Sequence, residues 1–186
     1  YEEDKQKIID KYNELGYRDA QIVVDSVSPF DDKTVNVYMK IEEGQKYYLR
    51  NVTWVGNTVY PSDLLNEQLQ MKRGDVYNQK LLNDRLSNDE DAIGNNYYNR
   101  GYVFYHLDPV EVNIENDSID LEMRIQEGPQ ATISHVRING NDRLYENIIR
   151  RELRTRPGDL FSKEALERSY REIAQMGHFN PENIQP

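Results

Sequence analysis

Cysteine is absent from the 186-residue chain, so structural disulfides, thiolate metal sites and cysteine nucleophiles are excluded. A chain without cysteine fits an extracytoplasmic compartment. Apolar residues are scarce at 37%, against roughly 45–50% in an average globular domain. Small domains with much surface read that way, because surface-to-volume ratio limits their cores. No apolar run approaches the roughly 18 residues of a membrane helix. An excess of positive charge is also missing: 23 Lys and Arg face 33 Asp and Glu, a net charge of −10. That balance argues against nucleic-acid binding, which rests on neutralising phosphates.

The chemistry of catalysis is equally thin. The three histidines, His106, His135 and His178, lie far apart and share no HxxxH or HExxH spacing. Read as a calcium loop, Asp89-Glu90-Asp91 would put Ile93 and Arg100 where oxygen ligands are required, so the match fails. There is no Walker loop, GxSxG elbow or dinucleotide fingerprint. The chain reads as a non-enzyme with no cofactor and no metal site.

What the chain does contain is a repeat. Shifted by 84 positions, the stretch from Tyr48 lies over the stretch from Thr132 without a gap. Val52 meets Val136, Gly56-Asn57 meets Gly140-Asn141, Leu69 meets Leu153, Gly74-Asp75 meets Gly158-Asp159, and Tyr77 meets Phe161. Gly16 to Gly44 likewise matches Gly101 to Gly128, with one residue of difference in the turn. The order of parts is the second half of one unit (residues 1–46), one complete unit (47–129) and the first part of a third (130–186). The start at Tyr1, inside a helical-looking segment, is that of a mature or excised fragment.

The complete unit reads strand, helix, helix, strand, strand. A β-rich run from Tyr48 to Val55 closes on the Gly56-Asn57 turn signal. Pro61 suits a first helical turn, and Leu65 and Leu69 sit one turn apart on a helix ending near Met71, broken by Arg73-Gly74-Asp75. Asn78 caps a second helix, on which Leu82, Leu86, Ile93 and Tyr97 keep helical spacing to a stop at Gly101. Val110, Val112 and Ile114 alternate on one closing strand, and Ile119, Leu121, Met123 and Ile125 on the other, about an Asn116-Asp117 turn. Ser162 caps the matching helix of the third unit. The fold class is α+β, two helices on a three-stranded mixed sheet. The tyrosines around Gly101 (Tyr97, Tyr98, Tyr102, Tyr105) are read as helix-to-sheet packing. Linkers are very short, with hinges near Gly44 and Gly128-Pro129, and bending between units is expected.

The ordered recurrence of VxxxGN, GDxY/F, GY and EG marks resembles POTRA domains, the periplasmic repeats of the BamA outer-membrane assembly family. The stretch from Ile125 to Phe179 looks like the junction of the last two such domains, which places the chain across the third, fourth and fifth repeats. The resemblance implies a periplasmic receptor and scaffold, attached to an outer-membrane barrel. Its partners would be unfolded outer-membrane protein precursors and accessory assembly lipoproteins. The last unit departs from the family pattern in lacking its closing strands. Two other readings stay open: a POTRA module of a two-partner secretion transporter or a cell-division protein, and a passive structural spacer.

An edge strand offers unpaired N–H and C=O groups to another extended chain. The family fold places the first hairpin strand at the edge, namely residues 104–113 in the complete unit and 21–27 in the first. Phe104, His106, Val110 and Val112, with Gln21, Val23 and Asp25, are therefore candidate client-binding residues. Pro109, Asp108 and Glu111 blunt the same edge. The third unit differs in charge: from Ala131 on, 9 Lys and Arg against 8 Asp and Glu give +1, leaving −11 for the rest. Arg150, Arg151, Arg154 and Arg156 crowd one stretch around Glu152. They read either as a solvated helix face paired with Glu146 and Glu152 or as a contact for an accessory subunit or membrane headgroups.

Overall fold

The computed structural model describes residues 1–141, 144–179 and 184. The first unit consists of α1 (Glu2–Glu14), β1 (Gln21–Pro29) and β2 (Val35–Glu42). The complete unit follows with β3 (Tyr48–Val55), α2 (Ser62–Leu69), α3 (Gln79–Asn83), a π-helical turn (Asp84–Asn88), α4 (Ile93–Tyr98), β4 (His106–Glu115) and β5 (Ser118–Gln126). The third unit contributes α5 (Glu146–Glu152) and α6 (Lys163–Gln175).

Alternation decides the centre of the sheet. Ile119, Leu121, Met123 and Ile125 all point to one face of β5 and all are buried. The strand order is β3-β5-β4, with β3 parallel and β4 antiparallel to β5. The helices cover that face, and Leu65, Leu69, Leu82, Ile93 and Tyr97 close the core from above. On the opposite face Arg50 of β3 reaches Asp120 of β5 and Glu115 of β4, each at 2.6 Å, and so ties all three strands.

Two helices differ from the sequence reading. The first stops at Leu69, where Gln70 takes a left-handed backbone, a turn before Arg73-Gly74-Asp75. The second is interrupted. Asp89 is extended, and its N–H bonds Asp84 O five residues back, giving the π turn. Ser87-Asn88-Asp89-Glu90-Asp91 has poor helix propensity, and its short polar side chains compete for backbone partners. Asn95 Nδ2 then satisfies the carbonyls of Asp89 and Glu90, both at 3.0 Å. Leu82, Leu86, Ile93 and Tyr97 still share the core.

Exposure and pairing differ between the complete unit and its two neighbours. Val35 and Val37 are 59% and 48% exposed, whereas their repeat-mates Ile119 and Leu121 are 0% and 1% exposed. In the third unit residues 132–139 form no strand; Thr132 bridges Leu160, and Ile133 exchanges backbone bonds with Asp159 and Gly158. Their counterparts in β3 have β5 beside them; among the described residues no strand lies beside this run.

The recurring sequence marks are bonds. Asn57 Nδ2 donates to Tyr60 O at 2.9 Å, and Asn141 Nδ2 to Leu144 O at 3.1 Å. The Asp75 carboxylate accepts from Lys72 N at 2.7 Å, and that of Asp159 from Arg156 N at 3.0 Å. The junctions recur too. Tyr47 N donates to Gly16 O of the preceding unit, and Tyr47 O accepts from Tyr77 N of its own, both at 2.9 Å. Ala131 N donates to Gly101 O at 2.7 Å, and Ala131 O accepts from Phe161 N at 2.9 Å. Successive units are therefore bonded directly and not merely strung on linkers.

Candidate strand-binding site

β4 is the edge of the three-stranded sheet because β5, buried on its helix face, takes the centre. Leu107, Pro109 and Glu111 stand opposite Ile125, Met123 and Leu121, so they look toward the helices. Leu107 and Pro109 line a groove of about 340 Å³ with Asn83, Leu86, Ser87 and Asn88. One wall of the groove is thus an open strand edge and the other is the second helix. Proline is tolerated on an edge where its missing N–H would face outward, which takes one donor from that edge.

Two residues beyond Pro109, on the same side of β4, stands Glu111. Arg18 of the first unit meets it at 2.6 Å, and the buried Tyr77 hydroxyl lies 3.2 Å from its other oxygen. Burial first, and then the Glu111 charge, push the Tyr77 phenol well up, so it stays a hydrogen-bond donor. The Arg18 guanidinium also lies 5.8 Å from the Tyr47 ring centre, and Tyr47 donates to Asp19 at 2.7 Å. Lys80 and Glu14 pair across the same junction at 2.9 Å.

The residues singled out from sequence are only partly brought together. His106 is exposed and Val110 half-buried, and both belong to β4. Val112 also belongs to β4, but it sits at a register irregularity between Glu111 and Asn113, and it is 47% exposed. Phe104 is not on the strand: β4 begins at His106, and Phe104, 65% exposed, packs beside Gly128. The strand itself runs two residues past the expected end, to Glu115. In β1, Gln21 pairs with Glu42, and Val23 occupies an irregularity between Ile22 and Val24. Asp25 is already held by α1, accepting from Lys5 at 2.9 Å and from the Tyr1 hydroxyl at 3.1 Å. Those bonds, Lys5 foremost, hold its carboxyl below the usual range.

The basic stretch of the third unit is largely neutralised. Arg150 pairs with Glu146, Arg151 with Glu152 at 3.2 Å, and Arg154 with Glu172 at 2.8 Å. Arg156 has no ion-pair partner among the described residues. No group of three potential metal ligands occurs among the described residues, and no helix there is long and apolar enough to cross a membrane.

Sequence reasoning missed the groups that join the elements. Glu127, of the EG mark, accepts from the backbone N–H of Thr58 and Val59 at 2.8 Å each. It also accepts from the hydroxyls of Thr58 and Tyr97. Its recurrence as Glu43 was the available signal. Arg18 and Glu111 carried none, because a pair between two units leaves no local pattern.

The model of the POTRA family, described as surface antigen variable number repeat, matches residues 1–44, 47–128 and 131–186. The chain is 26% identical over 187 residues to the outer membrane protein assembly factor BamA of Neisseria meningitidis serogroup B, covering 100% of this chain and 23% of that protein. It is 24% identical over 166 residues to BamA of Nitratidesulfovibrio vulgaris, covering 89% of this chain and 21% of that protein. It thus spans under a quarter of the length of these relatives. Among solved structures, POTRA domains 3–5 of Haemophilus influenzae BamA superpose with a TM-score of 0.77 at 27% identity, covering 96% of this chain and 70% of that one.

Proposed function

The chain belongs to the POTRA family, and on that premise we propose that it is a periplasmic scaffold and receptor region of an outer-membrane β-barrel assembly protein. It receives unfolded barrel precursors by strand addition and docks accessory subunits. Its three units are residues 1–46, 47–129 and 130–186. The observation that carries this reading is the groove beside β4: an edge strand, unpaired on its outer side, with the second helix forming the other wall of the groove.

Main-chain bonding is tolerant of client sequence, which suits a receptor of many precursors. Each added bond contributes about 0.5–1.5 kcal/mol net, offset by the cost of ordering the client. The result is weak, releasable capture, as a handover requires. Gln21 and Val23 on β1 offer a second edge of the same kind. Glu152, with Arg151 beside it, is the contact we assign to an accessory subunit.

An NMR titration with peptides copied from barrel strands tests the receptor role. Amide shifts should move along His106–Val112, and Leu107→Pro, which removes a donor of the same outward parity as Pro109, should weaken them. No shift at millimolar peptide would remove strand addition. Separately, Glu152→Lys should leave the fold intact while reducing pull-down of accessory subunits; unchanged pull-down would remove that assignment.

A further inference from the structure

Glu111 is an acid two residues along β4 from the apolar groove-lining pair Leu107 and Pro109. It shares the groove-facing side of β4 with Leu107 and Pro109, and all three stand over core residues of β5. A carboxylate so placed needs a cation, and β4 and its own helices do not supply it. Arg18 does, from the turn after α1, at 2.6 Å. The first unit therefore reaches across the junction and engages its neighbour's edge strand two residues beyond the groove.

We propose that Glu111 is a cation subsite on the β4 edge, adjoining the groove and occupied in cis by Arg18. Its client is an extended segment that sets a Lys or Arg against Glu111. The proposal rests on strand addition at β4. Exchanging one charge-assisted bond for another leaves Glu111 paired, so a basic client displaces Arg18 at little cost. A neutral client residue either strands the Glu111 charge or stops short of Glu111. Capture and the first junction are coupled as a result. Once Arg18 is displaced, the junction keeps Tyr47 N to Gly16 O and Lys80 to Glu14, but loses its tie to the sheet edge.

Two alternating Val/Thr peptides, one with a central Arg and one with Gln there, serve as probes in NMR titrations of the wild-type chain, Arg18→Ala and Glu111→Gln. Since the chain has no cysteine, labels at Lys33→Cys and Glu90→Cys report the junction by pulsed EPR. The Arg peptide should bind the wild type about threefold more tightly than the Gln peptide, the size expected of a part-exposed ion pair. Arg18→Ala should strengthen Arg-peptide binding and broaden the label distances without any peptide. Glu111→Gln should equalise the two peptides. Equal binding of both peptides to wild type and Arg18→Ala would overturn the cation subsite while leaving strand addition standing, as would a preference that survives Glu111→Gln. Failure of both peptides to bind any variant would remove strand addition, and this proposal with it.

Discussion

The Tyr97 hydroxyl donates to Glu127 at 3.3 Å, and its repeat-mate Tyr12 donates to Glu43 at 3.2 Å. One bond thus fastens the second helix to the end of the last strand in both units. In the complete unit the same carboxylate also holds the turn after β3 through Thr58 and Val59. Burial works to raise the Glu127 pKa, but these donors outweigh it and leave the carboxyl below its usual range.

Glu127→Ala should therefore lower stability by about 1–3 kcal/mol, the cost of leaving several donors without an acceptor. Glu127→Gln should cost less, because it keeps an acceptor oxygen. Glu43→Ala should cost less than Glu127→Ala, since among the described residues the Glu43 carboxylate accepts only from Tyr12. Urea melts of the three variants check the order, and a wild-type melt for Glu127→Ala would refute it.

Acid should act through the Arg50 clamp. The Arg50 hydrogen bond holds Asp120 down at about 2. A depressed carboxyl lends stability that is complete above its unfolded value near about 4 and is lost as pH falls through the folded value. The window is thus from about pH 4 to about pH 2. Arg50→Ala should flatten the stability curve there and move the Asp120 carboxyl-carbon NMR titration upward. A titration unmoved by the substitution would sever the link. Glu14, held at about 2 by Lys11 and Lys80, titrates in the same window and stays unchanged in both proteins.

Leu121 and Val37 occupy the same place in the repeat but are 1% and 48% exposed. Leu121→Ala should cost about 2–5 kcal/mol through the cavity it leaves. Val37→Ala should stay within about 1 kcal/mol, as surface changes do. Equal losses on thermal melting would mean that the Val37 face is covered in solution.

Backbone clearance separates two glycines of similar conformation. Gly56 has φ +88°, and a Cβ there would strike the Ile125 carbonyl oxygen. Gly74 has φ +91° and nothing within 4 Å of that position. Gly74→Ala should cost only the left-handed strain, about 1–2 kcal/mol. Gly56→Ala should cost clearly more and weaken β3–β5 pairing, visible as faster amide exchange in both strands. Equal costs would show that the collision relaxes freely.

Much of the fold was legible because it is periodic. Ile119 to Ile125 alternate, Leu65 and Leu69 sit a turn apart, and the marks recur at a fixed offset, so strand, helix and unit order could be read directly. The break at Asp89 was less visible, since Leu82, Leu86, Ile93 and Tyr97 keep their spacing through it; only the run of short polar residues betrayed it. The run from Thr132 illustrates the opposite failure. Its pattern asks for a strand, but a strand is a property of two segments, and no neighbour is at hand. Of the site, the edge position of β4 followed from the family fold. The groove and the Arg18–Glu111 pair did not, because the groove forms between segments distant in sequence and the pair joins separate units.

Tyr47 and Ala131 each have their N–H claimed by one unit and their C=O by the next. Loosening β3 at its start therefore also releases the helix turn at Gly16. Melting should spread from neighbour to neighbour, as in a one-dimensional cooperative lattice, and each unit's resistance to unfolding is partly borrowed from the one before it.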